Sequence, residues 1–285
     1  GVAIDVKKYE LTFANEIIEQ FMLTANETIA EKFYWLNAPF IYRVHENPDM
    51  EKITELNKFL FNLGYKIKVS KDNVYPKSFA EVLEKSKGTP EERVVSNLIL
   101  RTLKVARYES ENKGHFGIAS KYYCHFTSPI RRYPDLFIHR IISKYIENNY
   151  DVDEDWITEF KEKAIQRAAL SSEREKVATK VERDSEDLKK AEYMESKIGE
   201  VYDGIVSSVT QFGIFVELEN TVEGLIRFEN LGNEYFIYDE DRKQLIGEKT
   251  NKVYKIGDKV RIKVISANKT LRQIDFQIEG KRDVP

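Results

Sequence analysis

From about Glu10 to Phe33, apolar residues recur at helical spacing (Phe13, Ile17, Phe21, Ala25, Ile29), and this period predicts an amphipathic helix. Asn47-Pro48-Asp49 then reads as the cap of a second helix with Ile53, Leu56, Phe59, Leu60 and Leu63 on one face, ending at Gly64. The short alternation from Tyr65 to Val69 predicts an edge strand or extended link. Two further helices are expected, over Ser78 to Lys85 and from Pro90 to Lys104, the latter with proline in its first turn. Between Tyr108 and Asp135 the helical period disappears, and Gly, Ser, Thr, Tyr and His take its place. An irregular stretch set inside helices is where function is sought. Helix resumes over Leu136 to Tyr145. From Asp155 to about Lys197 one long charged helix, or two in tandem, is expected, with Trp156, Phe160, Ala164, Ala168, Val177, Val181, Leu188 and Ala191 as its apolar stripe.

At Ile198-Gly199 the period changes from 3.6 to 2, which places a domain boundary there and divides the chain into residues 1–197 and 198–285. Strands are expected over Glu200 to Val206, Gly213 to Leu218, Gly224 to Phe228, Lys259 to Ala267 and Gln273 to Ile278. Five short strands with interspersed glycines predict a small barrel of OB type. The fold class is therefore α+β and multidomain, a mainly helical part followed by a five-stranded barrel.

The 285 residues match about two domains, and 41% hydrophobic residues suffice for a core. With 45 Lys+Arg against 48 Asp+Glu the net charge is −3, so any site for a polyanion must be local. A single cysteine, Cys124, leaves no intramolecular disulfide partner and fits a reducing cytoplasm. No apolar run approaches the roughly 18 residues of a membrane span, so a soluble, cytoplasmic protein is expected. Gly1, leading straight into Val2-Ala3-Ile4-Asp5-Val6, reads as the start of an excised piece of something longer.

Two places carry candidate chemistry. On the barrel, Phe212 in a loop and Phe215 on a strand form a candidate platform for unstacked bases. From Lys249 to Lys263, six cations (Lys249, Lys252, Lys255, Lys259, Arg261, Lys263) face only Asp258. This is the local basic patch that the overall charge conceals. Either feature alone also fits an ordinary core aromatic or a solvated lysine face; together on a barrel they point to RNA.

The second place is His125-Phe126-Thr127-Ser128-Pro129-Ile130-Arg131-Arg132-Tyr133-Pro134-Asp135-Leu136, with His115-Phe116-Gly117-Ile118 ahead of it. Thr127-Ser128-Pro129 is read as a turn with outward hydroxyls and amides, and Pro129 as the start of a helix whose positive end attracts phosphate. Arg131 and Arg132 would lie in that first turn, each offering a bidentate fork, with Asp135 placed to hold one of them. A surface salt-bridge turn is the plainer alternative. His115, His125 and His139 lack zinc-like partners and read as structural. Asp151, Asp153, Glu154 and Asp155 mimic a calcium loop, but Trp156 stands where Gly is needed, so the run reads as a solvated helix start.

These motifs resemble the signature of the RNB family of exoribonucleases, the ribonuclease II/ribonuclease R group. The resemblance includes Met22 to Glu27, Arg43 to Pro48, Ala106-Arg107-Tyr108 and Val181-Glu182-Arg183-Asp184. The pattern Gly204-x-Val206, Phe212-Gly213-x-Phe215-Val216 and Glu223-Gly224-Leu225 resembles the S1-like RNA-binding domain. The resemblance implies a processive, hydrolytic 3′-to-5′ exoribonuclease acting on single-stranded and structured RNA and releasing nucleoside 5′-monophosphates. It implies Arg131 as a phosphate clamp and Glu182 as a carboxylate near the RNA 3′ end. It also implies Mg²⁺ bound by aspartates of a motif lying N-terminal to Gly1, so no metal ligand is assigned within this chain. RNA contacts are expected from Thr127, Ser128, Arg132, Phe212, Phe215, Arg227, Lys259, Arg261 and Lys263. This chain alone is expected to bind RNA without cutting it. A non-catalytic RNA-binding or docking protein remains the alternative.

Overall fold

In the computed structural model, which describes residues 1–70, 73–89, 91–240 and 242–279, helices dominate up to Glu195 and strands thereafter. Helix α1 (Phe13–Trp35) is followed by β1 (Tyr42–Val44), α2 (Met50–Asn62), the two-residue strands β2 (Val69–Ser70) and β3 (Asn73–Val74), and α3 (Pro76–Ser86). Then come α4 (Glu92–Thr102), β4 (Arg107–Glu109), α5 (Tyr133–Glu147) and α6 (Glu154–Glu195), a single helix of 42 residues. Two compact units result. One comprises residues 11–82 and 99–179; the other comprises 1–10, 83–98 and the chain from Lys180 onward.

The first unit is built on an aromatic core. Phe33 stacks on Phe40 with ring centroids 5.4 Å apart, and Phe137 stacks on Phe160 at 5.9 Å. Ile41, Ile138, Ile141, Tyr145, Ala164 and Ala168 fill the same cluster, the two alanines supplying short side chains one turn apart on α6. Strand β1 pairs antiparallel with β4, setting Arg43 opposite Tyr108. Helix α2 begins after Asp49 and buries Ile53, Leu56 and Leu60, as its spacing predicts.

Several expectations are corrected here. The α1 stripe Phe13, Ile17 and Phe21 is exposed, and the buried positions are Asn26, Ala30 and Phe33. Among the described residues, nothing packs over the first turns of that helix, so its apolar pattern does not translate into burial. Of the two alternatives for Tyr65 to Val69, Tyr65 to Lys68 form a link rather than a strand, and pairing there begins only at Val69, between β2 and β3. The first-turn role assigned to Pro90 lies outside the described residues. On α6, Ala164 and Ala168 are buried while Val177 and Val181 are exposed, so the apolar stripe is covered over only part of the helix.

The second unit holds a closed barrel in the order β11-β12-β7-β6-β5, with β5 (Val201–Thr210), β6 (Gly213–Leu218), β7 (Glu223–Arg227), β11 (Lys259–Asn268) and β12 (Gln273–Ile278). All pairs are antiparallel except β12 with β7, which run parallel at Asp275 and Leu225. Val206, Ile214, Val216, Ile226, Ile262, Val264 and Phe276 fill the interior, joined by Ala191 and Met194 from the end of α6. Gly224 is required by close approach: a Cβ there would lie 2.5 Å from the Phe276 ring. Between β7 and β11 the chain inserts an unforeseen meander of β8 (Phe236–Asp239), β9 (Gln244–Gly247) and β10 (Val253–Lys255). Its strands are three or four residues long, too short for a period of 2 to stand out.

Candidate nucleic-acid interface

The irregular stretch before α5 is held by side chains from several elements. Asn26 of α1, a polar residue in a buried position, donates from Nδ2 to the Tyr123 hydroxyl (3.1 Å) and accepts at Oδ1 from the Phe126 amide (2.9 Å). The Cys124 thiol donates to the Asn26 carbonyl, and burial pushes that thiol up. His139 of α5 stacks on Phe126, with centroids 4.4 Å apart and planes at 9°, and its Nε2 bonds the Phe126 carbonyl at 2.9 Å. Sequence reasoning missed Asn26; its signal is an amide at the helical position shared with Ala30 and Phe33.

Below the turn, Tyr108 bonds His125 Nδ1 at 2.9 Å, and the Arg43 guanidinium lies 4.7 Å from the Tyr108 ring while pairing with Glu175 at 2.6 Å. Burial, with the cationic Arg132 and Arg43 nearby, lowers His125 to about 3. Burial, with His45 beside it, lowers His115 to about 4. Gly117 donates its amide to His45 Nδ1, and a Cβ there would sit 2.7 Å from that nitrogen. At His45, His115 and His125 burial thus disfavours the charged form.

The turn itself departs from expectation in two respects. Helix α5 starts at Tyr133, with Arg132 as its N-cap and Pro134 in the first turn; Pro129 lies in the preceding turn. Both prolines satisfy the sequence rule for a helix start, and the register was settled by Asp135. One oxygen of that fully buried carboxylate, Oδ2, accepts from the Ser128 amide (2.8 Å), Arg132 Nε (3.1 Å) and Arg132 Nη2 (2.9 Å). The Ser128 amide therefore points inward, while its carbonyl accepts from the Arg131 and Arg132 amides. Arg131 is exposed and its side chain makes no hydrogen bond or ion pair among the described residues, and Ile130 beside it is fully exposed. Thr127 and Ser128 are half-buried.

On the barrel, cross-strand register sets Phe215 beside Leu225, and Leu225 beside Asp275. Phe215, Leu225, Arg227, Arg272, Asp275 and Lys190 line a cleft of about 490 Å³. Arg227 reaches Asp275 at 3.7 Å, Arg272 pairs with Asp184 at 2.7 Å, and Lys190 donates to the Thr221 carbonyl. Phe212 stands exposed in the β5–β6 turn. Lys259, Arg261 and Lys263 alternate along the outer face of β11 and do not line that cleft. All six cations from Lys249 to Lys263 are exposed. Glu182 is exposed on α6, in the unit that carries the barrel.

One unit carries the Ser-Pro-Ile-Arg turn and the other a closed five-stranded barrel, and both parts match known families. The RNB domain model matches residues 1–148, about half of the chain, and the S1 RNA binding domain model matches residues 195–279. The chain belongs to the RNB domain family.

It is 42% identical over 277 residues to Ribonuclease R 1 of Lactococcus lactis, covering 97% of this chain and 34% of that protein. It is likewise 42% identical to Ribonuclease R of Thermotoga maritima, covering 97% of this chain and 39% of that one. Among solved structures, Mycoplasma genitalium RNase R in complex with ribose methylated single-stranded RNA matches with TM-score 0.87 and 31% identity, over 95% of this chain and 43% of that one. The chain thus spans well under half the length of these relatives.

Proposed function

We propose that this chain is the RNB and S1 portion of a hydrolytic 3′-to-5′ exoribonuclease similar to ribonuclease R, acting in the cytoplasm on single-stranded and structured RNA and releasing nucleoside 5′-monophosphates. The observation that carries this reading is the backbone likeness, over 95% of the chain, to an RNase R solved with single-stranded RNA. Residues 1–197 serve as the C-terminal part of the catalytic domain and 198–285 as the RNA-gripping S1-like domain.

Arg131, unpaired and exposed at the turn, clamps a phosphodiester through its guanidinium fork and offsets charge that grows on the phosphate oxygens during hydrolysis. The Thr127 and Ser128 hydroxyls flank the same strand, and Glu182 contacts the RNA 3′ end. On the barrel, Phe212 and Phe215 stack bases, and Arg227, Lys259, Arg261 and Lys263 neutralise phosphates.

The family implies Mg²⁺, which when bound activates water and stabilises the leaving oxygen. Among the described residues, no group of three or more His, Cys, Asp or Glu side chains is arranged to hold a metal ion. The residues present do not fit the group, and no step is assigned to it here. On this reading, this chain by itself binds RNA without cutting it. A denaturing-gel time course of 5′-labelled single-stranded RNA, run with Mg²⁺ and with chelator, tests this. Intact RNA in both lanes is expected. Mg²⁺-dependent shortening from the 3′ end that is lost in Arg131→Ala would overturn the inactivity and place a working metal site within the chain.

A further inference from the structure

The signature turn carries two adjacent arginines, and the geometry treats them oppositely. The Arg132 guanidinium is spent on Asp135: Nε and Nη2 both reach Oδ2, at 3.1 and 2.9 Å, and the pair is largely buried. The same oxygen accepts the Ser128 amide at 2.8 Å, closing the turn across seven residues of sequence. Arg132 is also the N-cap of α5, in extended conformation, and its carbonyl accepts the Leu136 amide as the helix begins. One buried carboxylate thereby ties together the start of the turn, its end and the first turn of α5. Between those anchors the chain bulges out, which explains why Ile130 and Arg131 are the exposed residues of the segment.

We propose that Arg132 and Asp135 are a positioning pair that makes no contact with RNA, and that their tether is what presents Arg131 to phosphate. This deepens the RNA-binding reading above and rests on it. A guanidinium held through Nε and Nη2 on a buried carboxylate, and itself mostly buried, does not turn out to a phosphodiester without leaving that carboxylate buried and uncompensated. Arg131 has neither constraint.

Three measurements on the whole chain separate the roles. In ¹⁵N NMR, a slowly exchanging Nε–H signal is expected for Arg132, absent in Asp135→Asn, while the Arg131 Nε–H exchanges fast; fast exchange at Arg132 in the wild type would overturn the tether whether or not RNA binds. Next, the salt dependence of binding to a fluorescein-labelled oligouridine is compared across variants. Arg131→Gln should lower the log–log slope by about 0.7, the value for one single-strand phosphate contact. Added to Arg131→Gln, the pair Arg132→Met/Asp135→Asn removes both charges together, keeps an acceptor for the Ser128 amide, and should keep the slope of Arg131→Gln alone. A further loss of about 0.7 in that triple variant would make Arg132 an RNA contact and overturn the proposal.

Finally, Asp135→Asn should weaken binding several-fold in the wild-type background and not at all in the Arg131→Gln background, because a merely destabilising change would act equally in both. Equal losses in both backgrounds would overturn the positioning role. Binding that ignores Arg131→Gln altogether would overturn the RNA reading of the turn and the positioning claim with it, leaving the tether to be judged by NMR alone.

Discussion

Asp135 concentrates three donors on one oxygen in a site without solvent access, so its partners are energetically coupled. Breaking such a pair from one side leaves a buried charge, at a cost of about 3–5 kcal/mol. Arg132→Ala should therefore lower unfolding stability by about that amount in urea titrations, whereas Arg131→Ala, at an exposed unpaired side chain, should change it by less than about 0.5 kcal/mol. The histidines add a pH dependence. His125 and His115 are lowered to about 3 and about 4, chiefly by burial. Both sit below the unfolded value of about 6.5, so each is neutral in the fold and the unfolded chain takes up protons first. Stability is expected to be complete above about pH 6.5 and to fall as pH drops toward 4, with Tm declining by calorimetry over that window. His125→Gln, where it folds, should flatten the decline. The sequence announced the motif that carries Arg131 but left open which arginine Asp135 holds, since i+3 and i+4 are both within reach on a helix. Only the true start of α5 decides it.

Helix α5 illustrates why element boundaries resisted reading: Pro129 and Pro134 are equally good first-turn residues, and the choice depends on a side chain buried in three dimensions. Helix α1 was legible as a helix, yet its buried face is not the stripe of Phe13, Ile17 and Phe21. Hydrophobic periodicity marks which face is apolar, and packing depends on what lies opposite. The barrel strands were the most legible elements, because alternation over five to ten residues fixes both strand and inward face. Their glycines make sharp predictions. At Gly213, φ is +142° and a Cβ would lie 2.0 Å from the Ile226 carbonyl oxygen; at Gly224 it would meet the Phe276 ring. Gly213→Ala and Gly224→Ala should each destabilise the barrel by about 2 kcal/mol or more, read as a lower melting temperature with reduced near-UV signal.

The whole chain carries a net charge of −3, yet β9 to β11 present six exposed cations in fifteen residues of sequence. Its electrostatics toward RNA are thus set by local patches, the barrel strip and the Arg131 turn, which occur in separate compact units. Composition hides this and a windowed count of charges exposes it, whereas the cleft beside Phe215, with α6 supplying Lys190, was legible at no level of the sequence because it is assembled from residues 85 positions apart. Replacing Lys259, Arg261 and Lys263 together by Gln should reduce the salt slope of binding by about 2, at 0.7 per contact, with Tm unchanged. The measurement that tests the account most directly is the equilibrium binding of a labelled single-stranded RNA to this chain across a range of KCl concentrations. The prediction is tight binding at low salt, with the logarithm of affinity falling linearly against the logarithm of salt with a slope of about −3 or steeper, as four or more phosphate contacts require. Absence of binding at low salt, or an affinity indifferent to salt, would contradict it.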